Sequence, residues 1–160
     1  MIQHPVQISE EIKTLIITSE VFKEGDFIPK RYTCDGENIN PPLTIQNIPH
    51  EAKSIVLIIE DPDAPSDTWT HWIVWNISPS GKIKEKSIPG IEGLNDYGEQ
   101  NYRGPCPPSG THRYFFKVYT LDELIELKPA ATKVQLEKAI NPHIIGLGEL
   151  IGLYKRVLEF

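Results

Sequence analysis

Four side chains in this sequence have the types and settings to do chemistry: Asp61, His71, His112 and Tyr114. Asp61 opens the run Asp61-Pro62-Asp63-Ala64-Pro65, and His71 follows shortly in Trp69-Thr70-His71-Trp72. The second histidine comes straight after Gly104-Pro105-Cys106-Pro107-Pro108-Ser109-Gly110-Thr111, in His112-Arg113-Tyr114. Imidazoles donate and accept hydrogen bonds and change charge near neutral pH. A phenol adds a donor, and a carboxylate orients an imidazole, keeps it protonated, or accepts from a protonated ligand. Such a set would suit a small anion; it would also serve general acid–base chemistry or a His-His-Asp metal site. Ser66 and Ser109 lie near the histidines, but neither stands in the strand–turn–helix setting of an activated nucleophile. Taken one at a time, the same residues have plainer readings. An Asp before proline commonly hydrogen-bonds its own turn, and single motifs carry a high false-positive rate.

The elements around them must therefore bring the four together. Proline fixes φ and lacks an N–H, so dense prolines beside apolar runs describe stiff loops at strand ends. Ser54–Glu60 holds five consecutive apolar residues, Ile55 to Ile59, and predicts a strand buried on both faces. His71–Ile77 and Arg113–Leu121 predict two more, rich in aromatic and β-branched residues. Thr14–Thr18 and Pro41–Ile45 read as shorter extended runs. Side chains alternate along a strand, so His112 and Tyr114 share a face while Arg113 points away, and Asp61 continues the row of Leu57 and Ile59. Thr132-Lys133-Val134-Gln135 is a capping-box pattern for a helix that Asn141-Pro142 stops. Gly146, Gly148 and Gly152 weaken a helix in the tail, which predicts a strand over Ile151–Tyr154. Lys82–Arg103, with Gly90, Gly93, Gly98 and Asn95-Asp96, has little periodicity, and loops that long are usually functional or disordered. The sum is a mostly antiparallel β-sandwich of two sheets with one or two peripheral helices.

Composition narrows the function classes. A chain of 160 residues fits one domain, taken here as residues 1–160, with 39% hydrophobic and 24% charged residues. A net charge of −6 disfavours nucleic acid as the main partner. The basic pairs Lys30-Arg31 and Lys155-Arg156 read as solvated edges. No apolar run reaches membrane-spanning length, so stable membrane insertion is not expected. Met1–Glu11 lacks a basic start followed by an apolar run, which makes a cytoplasmic protein the default. Cys34 and Cys106 lack metal-ligand spacing and are too few for a disulfide framework. In a reducing compartment they read as two free thiols, pairing only if both loops converge.

Taken together, the two proline-rich segments resemble the phosphatidylethanolamine-binding protein family, also called Raf kinase inhibitor-like. The prokaryotic YbhB/YbcL-type branch is similar in Tyr32-Thr33-Cys34-Asp35-Gly36-Glu37-Asn38, Pro41-Pro42-Leu43 and Asn95-Asp96-Tyr97-Gly98. The correspondence runs from about Ile16 to Arg156. It departs at Cys106, where eukaryotic members have glycine, at Ile45 in place of a tryptophan, and at Thr70, which precedes a single histidine. The resemblance implies a sandwich with a small pocket for phosphate-like anions. Its ligand residues carry onto Asp61, Pro65, His71, Pro108, His112 and Tyr114, with backbone around Cys106-Pro107. It implies no established reaction, no cofactor and no metal. It also brings a second expectation, restraint of a kinase or protease, for which Lys82–Asn101 would be the contact loop, and it allows a homodimer. The alternative is a hydrolase or metal-dependent enzyme using Asp61, His71 and His112. Either way, both imidazoles must face one cleft.

Overall fold

The computed structural model describes residues 12–157, so the Met1–Glu11 segment lies outside the described residues. Among the described residues nine strands form two sheets: β1 (Lys13–Thr14), β2 (Ile16–Thr18), β3 (Leu43–Gln46), β4 (Ser54–Asp61), β5 (Trp69–Ile77), β6 (Lys82–Ile83), β7 (Ile91–Glu92), β8 (His112–Leu121) and β9 (Ile144–Tyr154). The larger sheet runs β1-β9-β8-β4-β5-β7 and the smaller runs β2-β3-β6. All pairings are antiparallel except β1 with β9. Among the described residues one α-helix, α1 (Lys133–Ile140), lies outside the sheets, with short 3-10 turns at Lys30–Tyr32 and Asn141–His143. The two-sheet, mostly β architecture is the one expected. Among the described residues no helix is long and apolar enough to cross a membrane.

β4 is the centre of the molecule, and every one of its residues is buried. Its alternation divides the interior into two cores. Ile55, Leu57 and Ile59 pack with Leu43, Ile45, Trp72, Val74 and Phe116 between the two sheets. Val56 and Ile58 point the other way, against Ile73, Trp75, Leu136 and Ile140, under the helix. A strand covered on both faces has no polar side to show, hence its unbroken apolar run. Each such side chain contributes roughly 1.5–3 kcal/mol by leaving water.

The other elements refine the expectations. α1 begins with both capping-box bonds: Gln135 N donates to Thr132 Oγ1 at 3.3 Å, and Thr132 N donates to Gln135 Oε1 at 2.9 Å. Leu136 and Ile140, one turn apart, bury its inner face, while Val134 is exposed. The run Thr14–Thr18 is divided rather than one strand. Leu15 is buried at the crossing, with β1 joining the larger sheet and β2 the smaller. The tail strand is eleven residues long, because β9 pairs along the whole of β8. Gly148 is required there: a Cβ would collide with the Leu15 carbonyl oxygen where the first strands cross. Lys82–Arg103 contains β6 and β7 and then a loop ordered by the buried Asn95. That side chain accepts from Tyr97 N and Glu99 N at 2.9 and 3.0 Å and donates to Asn101 O at 2.8 Å.

Glu60, next to Asp61 but on the helix side, ties α1 to the sheet. Lys133 Nζ reaches its Oε2 at 2.5 Å and Lys117 Nζ its Oε1. Burial alone would raise this carboxyl, but the two lysines outweigh it and hold its pKa below the usual range. Its stabilisation is therefore full above the unfolded value near 4.3 and is lost as pH falls through the lower folded value. Denaturant unfolding across pH 2–6 should show stability falling on the acid side, with a shallower fall in Glu60→Gln. Asp35 and Asp63 are lowered by arginine partners and titrate in the same window, so the slope is reduced rather than abolished. An unchanged slope in the variant would refute this role for Glu60.

Candidate functional site

The topology places the chemistry. β5 and β8 both flank β4 antiparallel, so the end of β4 lies beside the starts of the other two. Asp61 is the last residue of β4 and faces Trp69 across the ladder. His71 is the third residue of β5 rather than its first, and His112 is the first of β8. Alternation does the rest: His112 and Tyr114 turn inward and Arg113 outward. Asp61, His71, His112 and Tyr114 line one cavity of about 220 Å³. Pro65, Cys106, Pro107 and Pro108 line it too, so all eight residues singled out from sequence share one space. Ala64, Ser66, Trp69 and Tyr97 complete the wall and were not anticipated as site residues. Tyr97 had a signal in Asn95-Asp96-Tyr97-Gly98. The Asn95-ordered loop delivers its ring against Trp69, 5.4 Å between centroids, and against His71, 5.8 Å.

Hydrogen bonds fix how each group presents itself. His112 Nδ1 donates to Asp61 Oδ2 at 2.6 Å, and Asp63 N donates to Asp61 Oδ1 at 2.7 Å. Asp61 therefore performs both of its expected roles, turn former and histidine orienter. His71 Nδ1 lies 2.6 Å from the Arg103 carbonyl oxygen. A carbonyl only accepts, so the ring proton sits on Nδ1 and Nε2 is left for the cavity. Burial pushes the His71 pKa down, against the opposing effects of the Arg103 carbonyl and the Asp61 and Asp96 charges.

Tyr114 occupies the floor between the two imidazoles. Its ring is 5.4 Å from His71, nearly perpendicular, and 6.5 Å from His112, nearly parallel. The residue is fully buried, and its hydroxyl has no hydrogen-bond partner. Asp61 and the Cys106 backbone lie near it without a bond of good geometry. Burial first, and the Asp61 charge second, push its pKa upward. An unmet buried hydroxyl costs roughly 1–3 kcal/mol, which a bound solute would relieve. Trp75 Nε1 and Thr120 Oγ1 are also unpartnered, but neither lines the cavity.

Among the described residues, no lysine or arginine lines the cavity. Arg113 sits outside, donating to both oxygens of Asp63 at 2.9 and 3.0 Å. Arg103 is bonded to Glu99 and lies over the Tyr97 ring, 4.3 Å from its centroid. Among the described residues no group of three or more His, Cys, Asp and Glu is set to hold a metal ion.

Cys34 and Cys106 are not free thiols; they form a disulfide, 72 residues apart in sequence with Cα atoms 5.5 Å apart. The two loops do converge, for reasons visible around the bond. Cys34 N donates to Pro105 O at 3.1 Å, Gly104 N to Asn38 Oδ1 at 2.7 Å, and Tyr102 Oη to Tyr32 O at 2.6 Å. Gly104 allows this approach, because a Cβ there would collide with the Tyr32 carbonyl oxygen. The Tyr32–Asn38 motif thus braces the proline-rich wall of the cavity. Arg156 joins the same brace instead of being a solvated edge: it grips Asp35 at 2.9 Å, and Tyr154 Oη donates to that carboxylate at 2.6 Å.

Comparison with known proteins bears on the family and the fold. The family model described as phosphatidylethanolamine-binding protein matches residues 18–155. A UPF0098 protein of Methanothermobacter thermautotrophicus is 48% identical over 148 residues, covering 88% of this chain and 98% of that one. A crystal structure described as a putative homolog of the family, from Chlamydia trachomatis, is 43% identical with a TM-score of 0.87, over 91% of this chain and 99% of that one. The crystal structure of E. coli YbcL, described as a new member of the mammalian family, is 27% identical with a TM-score of 0.83, over 89% and 99% of the two chains.

By loop-closure entropy, a bond across this separation stabilises the fold by roughly 4 kcal/mol. Reduction, or Cys34→Ser, should lower the melting temperature by about 10 °C. Thermal unfolding with and without reductant checks this, and identical midpoints would remove the bond from the account.

Proposed function

Since the chain belongs to the phosphatidylethanolamine-binding protein family, we propose that it is a non-catalytic binding protein whose cavity holds a small phosphoryl-type anion. The observation that carries this reading is the buried, unpartnered Tyr114 hydroxyl between two imidazoles. A tetrahedral oxyanion offers acceptors to that hydroxyl and, when His112 is protonated, to its Nε2. Asp61 anchors the far side of the His112 ring, so the imidazole is aimed before anything binds. Proline walls and the disulfide brace reduce the ordering that binding would otherwise require.

Two groups of nucleophile type line the cavity, Cys106 and Ser66. The sulfur of Cys106 is committed to Cys34, and Ser66 makes no hydrogen bond to either imidazole. Restraint of a kinase or protease would be a further layer of this reading, with the bound headgroup or the nearby loops as the contact. The disulfide bears on the cellular setting. A protein that keeps it belongs to an oxidising compartment or to a cell whose interior tolerates disulfides, and the cytoplasmic expectation holds only in the second case.

Isothermal titration with inorganic phosphate and phosphorylethanolamine should show weak binding to the wild-type protein. His112→Ala and Tyr114→Phe should each weaken it by roughly 10–150-fold, the range for one lost hydrogen bond to a charged group. Tyr114→Phe removes a hydroxyl that bonds nothing in the free protein, so its melting temperature should hold or rise. Equal affinity in wild type and both variants would reject the site.

A further inference from the structure

The cavity has a hydrogen-bonding polarity that sorts anions by whether they carry a proton. Resting on the anion-site reading above, we propose that it selects a phosphoryl group in its singly protonated form. The P–OH of that group donates to His71 Nε2, and an oxyanion of the same shape without a proton is excluded.

The argument begins with His71. Its Nδ1 proton is committed to the Arg103 carbonyl, so the nitrogen left for the cavity presents a lone pair. A fully ionised oxyanion would set its own lone pairs against that nitrogen in a buried space. A P–OH turns the same encounter into a hydrogen bond. Asp61 already accepts from His112 at Oδ2 and from Asp63 N at Oδ1, which takes up half of its acceptor sites, whereas His71 Nε2 has its one lone pair free.

Charge leads to the same choice. Among the described residues the cavity wall contains a buried carboxylate, bonded to His112, and no lysine or arginine, so beyond that one imidazole no cation offsets a second negative charge on the ligand. The two nearest guanidinium groups are engaged elsewhere, Arg103 with Glu99 and Arg113 with Asp63. The Tyr114 hydroxyl then serves one ionised oxygen. One proton on the ligand satisfies the acceptor, the donor and the charge together.

The groups facing His71 come from three directions. Asp61 approaches from β4, and Tyr114 and His112 from β8. Asp96, Tyr97 and the carbonyls of Arg103 and Gly104 come from the loop after β7. Burial outweighs the acidic and carbonyl neighbours and lowers the His71 pKa. That favours the neutral ring where a phosphate ester gives up its second proton, near pH 6.

The test is calorimetric titration of the intact, oxidised protein at fixed ionic strength between pH 5.5 and 8.5. The probes are methyl phosphate, methylphosphonate and sulfate; inorganic phosphate would not serve, because it keeps a P–OH on both sides of its second ionisation. Sulfate has the tetrahedral oxyanion of a phosphoryl group but holds no proton in this range, and should bind roughly 10–100-fold more weakly than methyl phosphate at pH 6. Methyl phosphate affinity should fall about tenfold per pH unit above the ionisation that removes its last P–OH proton, near pH 6. The methylphosphonate curve should be displaced to higher pH, following that ligand's higher ionisation. Sulfate binding as tightly as methyl phosphate would overturn the proposal while leaving the anion site standing. So would coincident pH midpoints for the two protonated ligands, since the proton would then reside on the protein. An imidazolium pattern for His71 in ¹⁵N spectra of the methyl phosphate complex would have the same consequence. If none of the three probes binds, the anion-site reading fails, and this proposal with it.

Discussion

The antiparallel ladder β8-β4-β5 governs this molecule. Antiparallel neighbours bring the end of one strand to the start of the next, and the pleat sends alternate side chains to the same face. Applied to these strands, the two rules put Asp61, His71, His112 and Tyr114 at one end of one sheet. The same alternation decides which half of β4 faces the opposing sheet and which half faces the helix. A one-residue slip of β8 would turn His112 and Tyr114 to the outside and bring Arg113 in. The long ladders with β4 on one side and β9 on the other oppose such a slip, because β8 would have to break register with both and lift Tyr114, Phe116 and Val118 out of the core.

This explains why much of the site was legible in the residues themselves. Parity needs only a strand and a count, and the strand signals at Ile55–Ile59 and Arg113–Leu121 were strong. What escaped was whatever depends on segments far apart in sequence. Tyr97 reaches the cavity because Asn95 folds its loop through bonds to Tyr97, Glu99 and Asn101, a local arrangement with no periodic trace. The disulfide escaped for a related reason. Two cysteines 72 positions apart carry no spacing rule, and their pairing depends on Tyr32–Asn38 packing against Tyr102–Cys106. Leu15 likewise gave no warning that a five-residue β-rich run would be shared between two sheets, since no glycine, proline or other break marks the point of division.

The motifs that carry the family resemblance divide by physical task. The proline-rich runs and the residues after them form the cavity itself. Tyr32–Asn38 forms the brace behind it: Cys34 supplies a covalent bond, Asn38 accepts from Gly104, and Asp35 holds the tail through Tyr154 and Arg156. Asn95–Gly98 forms the side wall. Matching segments spread across the sequence are therefore contiguous in space, which is why their agreement in order says more than any one of them alone.

Tyr114 belongs at once to the cavity and to the row of side chains that fills the larger core. A single aromatic thickness separates the space open to solutes from the hydrocarbon interior. The pocket therefore has no depth to gain. Any enlargement made downward breaches the interior and floods it, so room can be gained only at the rim, by rebuilding the turns after β4 and before β8. The size of the opening is then a matter of loop architecture, with the bottom of the bowl held constant.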